Sequence, residues 1–267
     1  MKKIFGTIIL LCLICAGTSC SIAGKDIVTD QKQKLPFTDQ EEEILLSLGL
    51  DLEILKAEGL DYVQRRLLDA SVLALNYMEE KYHKTFTVSS ATLRGILTSC
   101  DVVLLYLTSD TNQDTPIKVQ ISGEIKTPIC SDNYLTILKQ QDYQKYVQGL
   151  ASSIYDNCHV YAYFGGYYSQ KYSSAMTIEE IILQRELSDE DVYGDGTILV
   201  YVPNDSETQM KEKNQQFIKL LTEKHIDTGM TIYTVGTENE LGQTPEDVAN
   251  FSSSNSPYLN RYYIVSY

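Results

Sequence analysis

A run of apolar residues at helical spacing sets the first constraint on the fold. Val63, Leu67, Ser71, Leu75, Met78 and Tyr82 recur at steps of four, four, four, three and four. That rhythm places them on one side of an α-helix, which then has a stripe to bury. Asp61 stands where an N-cap belongs, and Glu79, Glu80 and Lys81 are expected at the solvent end. Two shorter helices are predicted before it. Thr38 and Glu41 form a capping box ahead of Ile44, Leu45 and Leu48, and Gly49 ends that helix. Asp51 opens the next, which Gly59 stops.

The sheet that this helix needs follows at once. Phe86 and Val88 alternate with Thr85, Thr87 and Ser89, and residues 102–107 are continuously apolar. Ile117, Val119 and Ile121 alternate with Lys118 and Gln120. Short strands with a polar turn between them predict an antiparallel meander packed on the helix. Beyond it, residues 134–138 read as a strand, 140–155 as a helix and 160–164 as a strand. A second unit of the same order covers 198–202, a helix with Met210, Phe217, Leu220 and Leu221 inward, and 230–235. A short helix capped by Thr177 and Glu180 lies between the units, and residues 259–267 form a closing aromatic strand. Parallel pairing of 198–202 with 230–235 is expected. The class is α+β: N-terminal helices on an antiparallel meander, then two strand-helix-strand units. Residues 146–164 align with 217–235 without a gap, which suggests a weak internal repeat.

The first nineteen residues differ from the rest. Lys2 and Lys3 precede an uncharged stretch, 4–16, that is dominated by Ile, Leu and Cys, and small residues lead to Cys20. This is the layout of a secretory signal, too short for a spanning helix of about 20 apolar residues. Gly17-Thr18-Ser19-Cys20 resembles the lipobox of bacterial lipoproteins, with Gly17 in place of the usual Leu. The resemblance implies that the Cys20 thiol carries a diacylglycerol and becomes the mature N-terminus, with fatty acyl chains such as palmitate holding the protein to the outer face of a membrane. Two alternatives stay open: ordinary cleavage after Ala23, and an uncleaved anchor. The Lys-rich signal, low Arg content and abundant Tyr and Ile are similar to exported lipoproteins of low-GC Gram-positive bacteria. The chain thus divides into a signal peptide, 1–19; a lipidated Cys and polar tether, 20–37; a first α+β half, 38–174; and a smaller α/β-like half, 175–267.

Charge narrows the partners. The net charge is −14, and removing Lys2 and Lys3 with the signal leaves 20 basic residues (22 − 2) against 36 acidic. Such a surface repels phosphate backbones and anionic headgroups, so nucleic acid is not an expected ligand. Membrane contact is expected through the N-terminal lipid, not through a basic patch.

Chemistry-bearing motifs are sparse. The chain has no Gly-x-x-x-x-Gly-Lys loop, no His-Glu-x-x-His and no Gly-x-Ser-x-Gly, and so neither cofactor nor metal is expected. Asp189, Asp191 and Gly194 begin an EF-hand pattern, but Tyr193 and Val200 fall where ligands are required. Cys100, Cys130 and Cys158 read as three buried thiols, with one disulfide plus a free thiol as the alternative. His83 and His225 sit at helix C-termini, where a cation suits the dipole. His159 reads as a surface residue.

The candidate binding residues come from two patterns. Tyr occurs 20 times against six Phe and no Trp. Tyr161, Tyr163, Tyr167 and Tyr168 cluster around Gly165-Gly166, and a flat ring with a polar tip suits protein partners and sugars. Plain strand propensity is the competing account. Ligands also gather beyond the carboxyl ends of parallel strands, which marks Asn204, Asp205 and Glu238. The expected role is a non-catalytic binding module at the cell envelope, with an envelope protein or glycan as partner. The alternatives are a hydrolase of glycans or peptides, using paired carboxylates or His159 with Ser169, and a solute-binding lipoprotein.

Overall fold

The computed structural model describes residues 36–95, 99–109, 115–124, 127–186, 197–203, 207–226, 229–235 and 258–265. Three helices come first: α1 (Asp39–Ser47), α2 (Leu52–Glu58) and α3 (Tyr62–Tyr82). Their starts follow local capping chemistry. Thr38 and Glu41 close a capping box, Asp51 accepts from the amides of Glu53 and Ile54, and Asp61 closes a second box with Gln64. Each cap satisfies amides that the first helical turn leaves open. Gly49 and Gly59 end α1 and α2 with positive φ.

Strands β1 (Phe86–Thr92), β2 (Asp101–Leu107), β3 (Ile117–Glu124) and β4 (Thr127–Asp132) form the antiparallel meander. A two-residue strand, β6 (Tyr168–Ser169), adds to β4 and completes a five-stranded sheet in the order β1-β2-β3-β4-β6. Phe86, Val88, Val103, Leu105, Ile117, Val119 and Ile121 are buried with α3. The buried side of α3 is broader than the predicted stripe. It includes Leu68, Ala74 and Tyr77 as well as Ser71, Leu75, Met78 and Tyr82. Val63 instead lies 55% exposed, beyond the sheet's cover.

The second sheet has the order β5-β7-β8-β9, from β5 (His159–Tyr163), β7 (Thr197–Pro203), β8 (Gly229–Val235) and β9 (Tyr258–Val265). β7 and β8 pair in parallel, as expected, with α6 (Glu207–Glu223) between them in the chain. α5 (Ile178–Glu186) opens at the Thr177–Glu180 capping box. The class is α+β.

Residues 134–138 differ from expectation. They are the first turns of α4 (Tyr134–Ser152), not a strand. Asp132 Oδ1 accepts from the Tyr134 amide at 2.8 Å, and Thr136 Oγ1 donates to Asn133 O at 2.7 Å, so the chain turns directly from β4 into a helix. Tyr134 and Leu135 are buried while Ile137 and Leu138 are exposed, the pattern of a helix and not of an alternating strand. The first unit therefore lacks its leading strand, and any repeat is reduced to a helix and a strand.

The reason α4 runs beside β5 is a ladder of glutamines. Gln140, Gln144 and Gln148 recur every four residues and project from one side of α4. Gln140 Nε2 donates to Ala162 O and its Oε1 accepts from Phe164 N. Gln144 repeats this with Val160 O and Ala162 N, and Gln148 with Cys158 O and Val160 N. Three carboxamides thus stand in for a neighbouring strand along the β5 edge, satisfying groups that would otherwise invite another chain.

Two hydrophobic clusters result. One joins α1–α3 to the first sheet and ends at Tyr134; the other runs from Leu135 through α4, α5, β5, β7 and α6. The cores divide within the first turn of α4, earlier in the chain than the 174/175 boundary expected from the sequence. Among the described residues, no helix is long and apolar enough to cross a membrane.

Candidate functional site

Cys20, Asn204, Asp205 and Glu238 lie outside the described residues, as does the 188–196 loop. Tyr161, Tyr163 and Tyr167 keep some exposure, and Tyr163 lies close enough to Tyr167 to influence it, whereas Tyr168 does not reach the surface. Tyr163 is 59% exposed at the end of β5. Tyr161 is half-buried two residues earlier, with its ring 4.8 Å from that of His159. Tyr167 is half-buried and hydrogen-bonded to Gln120 of β3, and burial raises its pKa. Tyr168 corrects the expectation: it is fully buried, its hydroxyl donates to Gly165 O at 3.1 Å, and its ring packs against Phe164 and Tyr172. It belongs to the core because β6 turns it inward between the two sheets. Ser169 is buried in β6, in the other sheet from His159.

The cysteines among the described residues are free thiols and only partly buried. Burial, with Asp132 nearby, pushes the Cys130 thiol up to about 11. Burial also raises Cys158, against hydrogen bonds with Ser152 and Gln148 that act the other way. Thiols shifted upward are protonated at neutral pH and weak as nucleophiles.

The densest polar cluster is buried. The Lys81 side chain is 2% exposed, contrary to its expected place at the solvent end of α3. Its Nζ donates to Asp132 Oδ2 (2.7 Å), Tyr168 O (2.7 Å) and Tyr77 Oη (3.0 Å), which uses all three ammonium protons. Tyr82 Oη donates to Asp132 Oδ1 at 2.7 Å. Burial lowers the Lys81 pKa and raises those of Tyr77 and Tyr82. This group ties α3 to β4 and β6. It is sealed from solvent and acts as a structural joint.

A second charged group closes the far end of β2. Arg66 reaches Asp101 at 3.1 and 3.2 Å, and Arg94 adds its backbone amide at 2.6 Å and its guanidinium at 3.3–3.4 Å. Burial alone would raise the Asp101 pKa; the Arg94 hydrogen bonds and both guanidinium charges outweigh it and hold the carboxyl below its ordinary value.

Among the described residues, a site with room for a ligand lies elsewhere, in a cleft of about 220 Å³ where α1 and α3 meet β1. Ile44, Leu75, Phe86 and Val88 make an apolar floor, and each is nearly or fully buried. Glu43 from α1 and Glu79 from α3 supply its charge; Thr85, Thr87 and Thr108 supply hydroxyls. Thr87 Oγ1 and Thr108 Oγ1 lie 3.1 Å apart. Among the described residues, no basic side chain lines the cleft. Sequence reasoning missed it. Its residues come from α1, α3, β1 and the flanking Thr85 and Thr108, and a local signal for it is the i, i+3, i+4, i+7 spacing of Gln40, Glu43, Ile44 and Ser47 on α1. Among the described residues, no group of three or more His, Cys, Asp or Glu is placed to hold a metal ion.

No family model and no curated protein matches this chain. A solved structure of a DUF5037 family protein from Ruminococcus gnavus ATCC 29149 is similar over 73% of this chain and 89% of that one, at 14% identity and a TM-score of 0.30. A likeness at that level carries neither fold nor function.

Proposed function

We propose that this protein is exported, anchored by lipid on Cys20 to the outer face of a bacterial membrane, and serves there as a non-catalytic binding module. The observation that carries the binding half is the cleft between α1, α3 and β1: an apolar floor, a hydroxyl rim and two carboxylates of like charge. Floor and rim together suit a ligand with an apolar body and a cationic tip, in keeping with a net charge of −14. The anchor half rests on the order of Lys2, Lys3, the apolar 4–16 run and Ser19-Cys20.

Intact-mass analysis of membrane-extracted protein tests the anchor. The wild type is expected to begin at Cys20 and carry a diacylglycerol, and Cys20→Ala to lose that mass and leave the lipidated membrane fraction. Wild-type protein released without acyl chains, beginning at Ser21 or Gly24, would overturn the anchored reading.

A further inference from the structure

We propose that the outer edge of β1 accepts an extended, lysine- or arginine-bearing peptide segment of a partner protein as an added strand. The proposal rests on the binding-module reading and names the ligand of the same cleft.

The edge follows from the register. Thr108 N donates to Thr85 O at 3.1 Å, and Phe86, Thr87 and Val88 stand opposite Leu107, Tyr106 and Leu105. In an antiparallel ladder, pairs that exchange hydrogen bonds alternate with pairs whose backbone groups point away from each other. Thr85 with Thr108 is a bonded pair, so Thr87 with Tyr106 is the next. Phe86 and Val88 then turn their N–H and C=O groups to the opposite side, and both line the cleft. β1 is the last strand of its sheet, and among the described residues nothing pairs with that side.

The contrast with the other sheet is informative. There the β5 edge is sealed by Gln140, Gln144 and Gln148. Beside β1, α1 packs so as to leave the cleft and lines it with Gln40, Glu43 and Ser47. An open edge beside a walled groove is the arrangement that strand addition uses: backbone bonds supply affinity, and alternate side chains supply specificity. Side chains of an added strand alternate between faces. Those on one side meet Thr85 and Thr87, which suits small or β-branched residues. Those on the other approach Glu43 and Glu79, which suits ammonium or guanidinium groups.

The test uses the mature protein as exported, purified in detergent whether or not it carries acyl chains, and two capped octapeptides, alternating Lys-Val and alternating Glu-Val. Anisotropy is expected to show the lysine peptide binding at least about tenfold more tightly than the glutamate peptide. Saturation with it should slow amide hydrogen exchange at Phe86 and Val88 but not at Thr87, which is already bonded to β2. The exposed Glu43→Lys change combined with Glu79→Lys should weaken binding by about tenfold or more while thermal unfolding stays intact. Equal binding of both peptides overturns the proposal, as does no binding of the lysine peptide. Slow exchange at Phe86 and Val88 in the free protein would show the edge already occupied, and would also overturn it. Binding without protection of these amides defeats the added strand while leaving the binding module standing, and no outcome here depends on the lipid.

Discussion

Lys81 and Asp132 lie 51 residues apart in the chain and 2.7 Å apart in space, both within the protein interior. Asp132 also accepts from Tyr77, Tyr82 and the Tyr134 amide, and Lys81 from α3 reaches across to the carbonyl of Tyr168. One ion pair thereby fixes the end of α3, the end of β4, the start of α4 and the short strand β6. Taking the charges out of water is costly, and what sustains the pair is that the ammonium protons and both carboxylate oxygens have partners.

Breaking that pair on one side should be expensive. Lys81→Met leaves a buried carboxylate without its cation and is expected to lower unfolding free energy by about 3–5 kcal/mol. Lys81→Met combined with Asp132→Asn should cost less than the sum of the two single changes. Denaturant unfolding of the four proteins in a double-mutant cycle measures this, and additive losses would refute the coupling.

The glutamine ladder makes a prediction of sign. Gln144→Ala removes two hydrogen bonds and is expected to cost about 2 kcal/mol. Gln144→Glu should be worse at neutral pH, because a carboxylate would face the Val160 carbonyl. As pH falls through the ordinary carboxylate range of about 4.3, the protonated acid can donate again, and the gap to the wild type should narrow. Melting temperatures of both proteins at pH 7 and pH 4 give the comparison; a gap that does not change with pH would discount the ladder.

Asp101 should titrate below its ordinary value, because Arg94 and Arg66 favour its charged form more than burial opposes it. A carboxyl depressed on folding contributes stability that is present above the unfolded pKa of about 3.9 and is lost as pH falls through the lower folded pKa. Carboxyl chemical shifts followed by NMR locate the midpoint. Arg94→Met is expected to move it upward, and no movement would assign the shift elsewhere.

His83 ends α3 in the left-handed conformation, φ 54° and ψ 41°. A side chain there carries a steric cost of about 1–2 kcal/mol that glycine avoids. His83→Gly should therefore raise stability by roughly 0.5–1 kcal/mol at neutral pH, read by thermal or denaturant unfolding. A loss would show that the unfolded-chain entropy that glycine adds outweighs the backbone strain it relieves.

Much of the local structure was legible in advance, for a physical reason. Caps at Thr38, Asp51, Asp61 and Thr177 act within three residues, and the alternation of Ile117, Val119 and Ile121 reports one buried face directly. The misreadings share a different cause. Residues 134–138 look like a strand because four of the five are Tyr, Leu, Ile and Leu, but the Asp132 carboxylate under the Tyr134 amide and the Thr136 bonds to Asn133 O turn the chain into a helix. Lys81 looks like a surface residue until β4 brings Asp132 to it. Tyr168 looks like a recognition residue until β6 folds it inward. The cleft was invisible because it combines α1, α3 and β1, and no short-range spacing links Glu43 to Glu79 or either one to Val88.

The chain's own order of residues determined where helices begin, which strands alternate, the α+β class and the charge that any partner must meet, because these depend on neighbours a few positions apart. Tertiary structure decided which polar groups are buried, which strand edge glutamines close and which stays open beside two carboxylates. Those outcomes depend on groups meeting across tens of residues, where burial removes water and makes each partner's identity count.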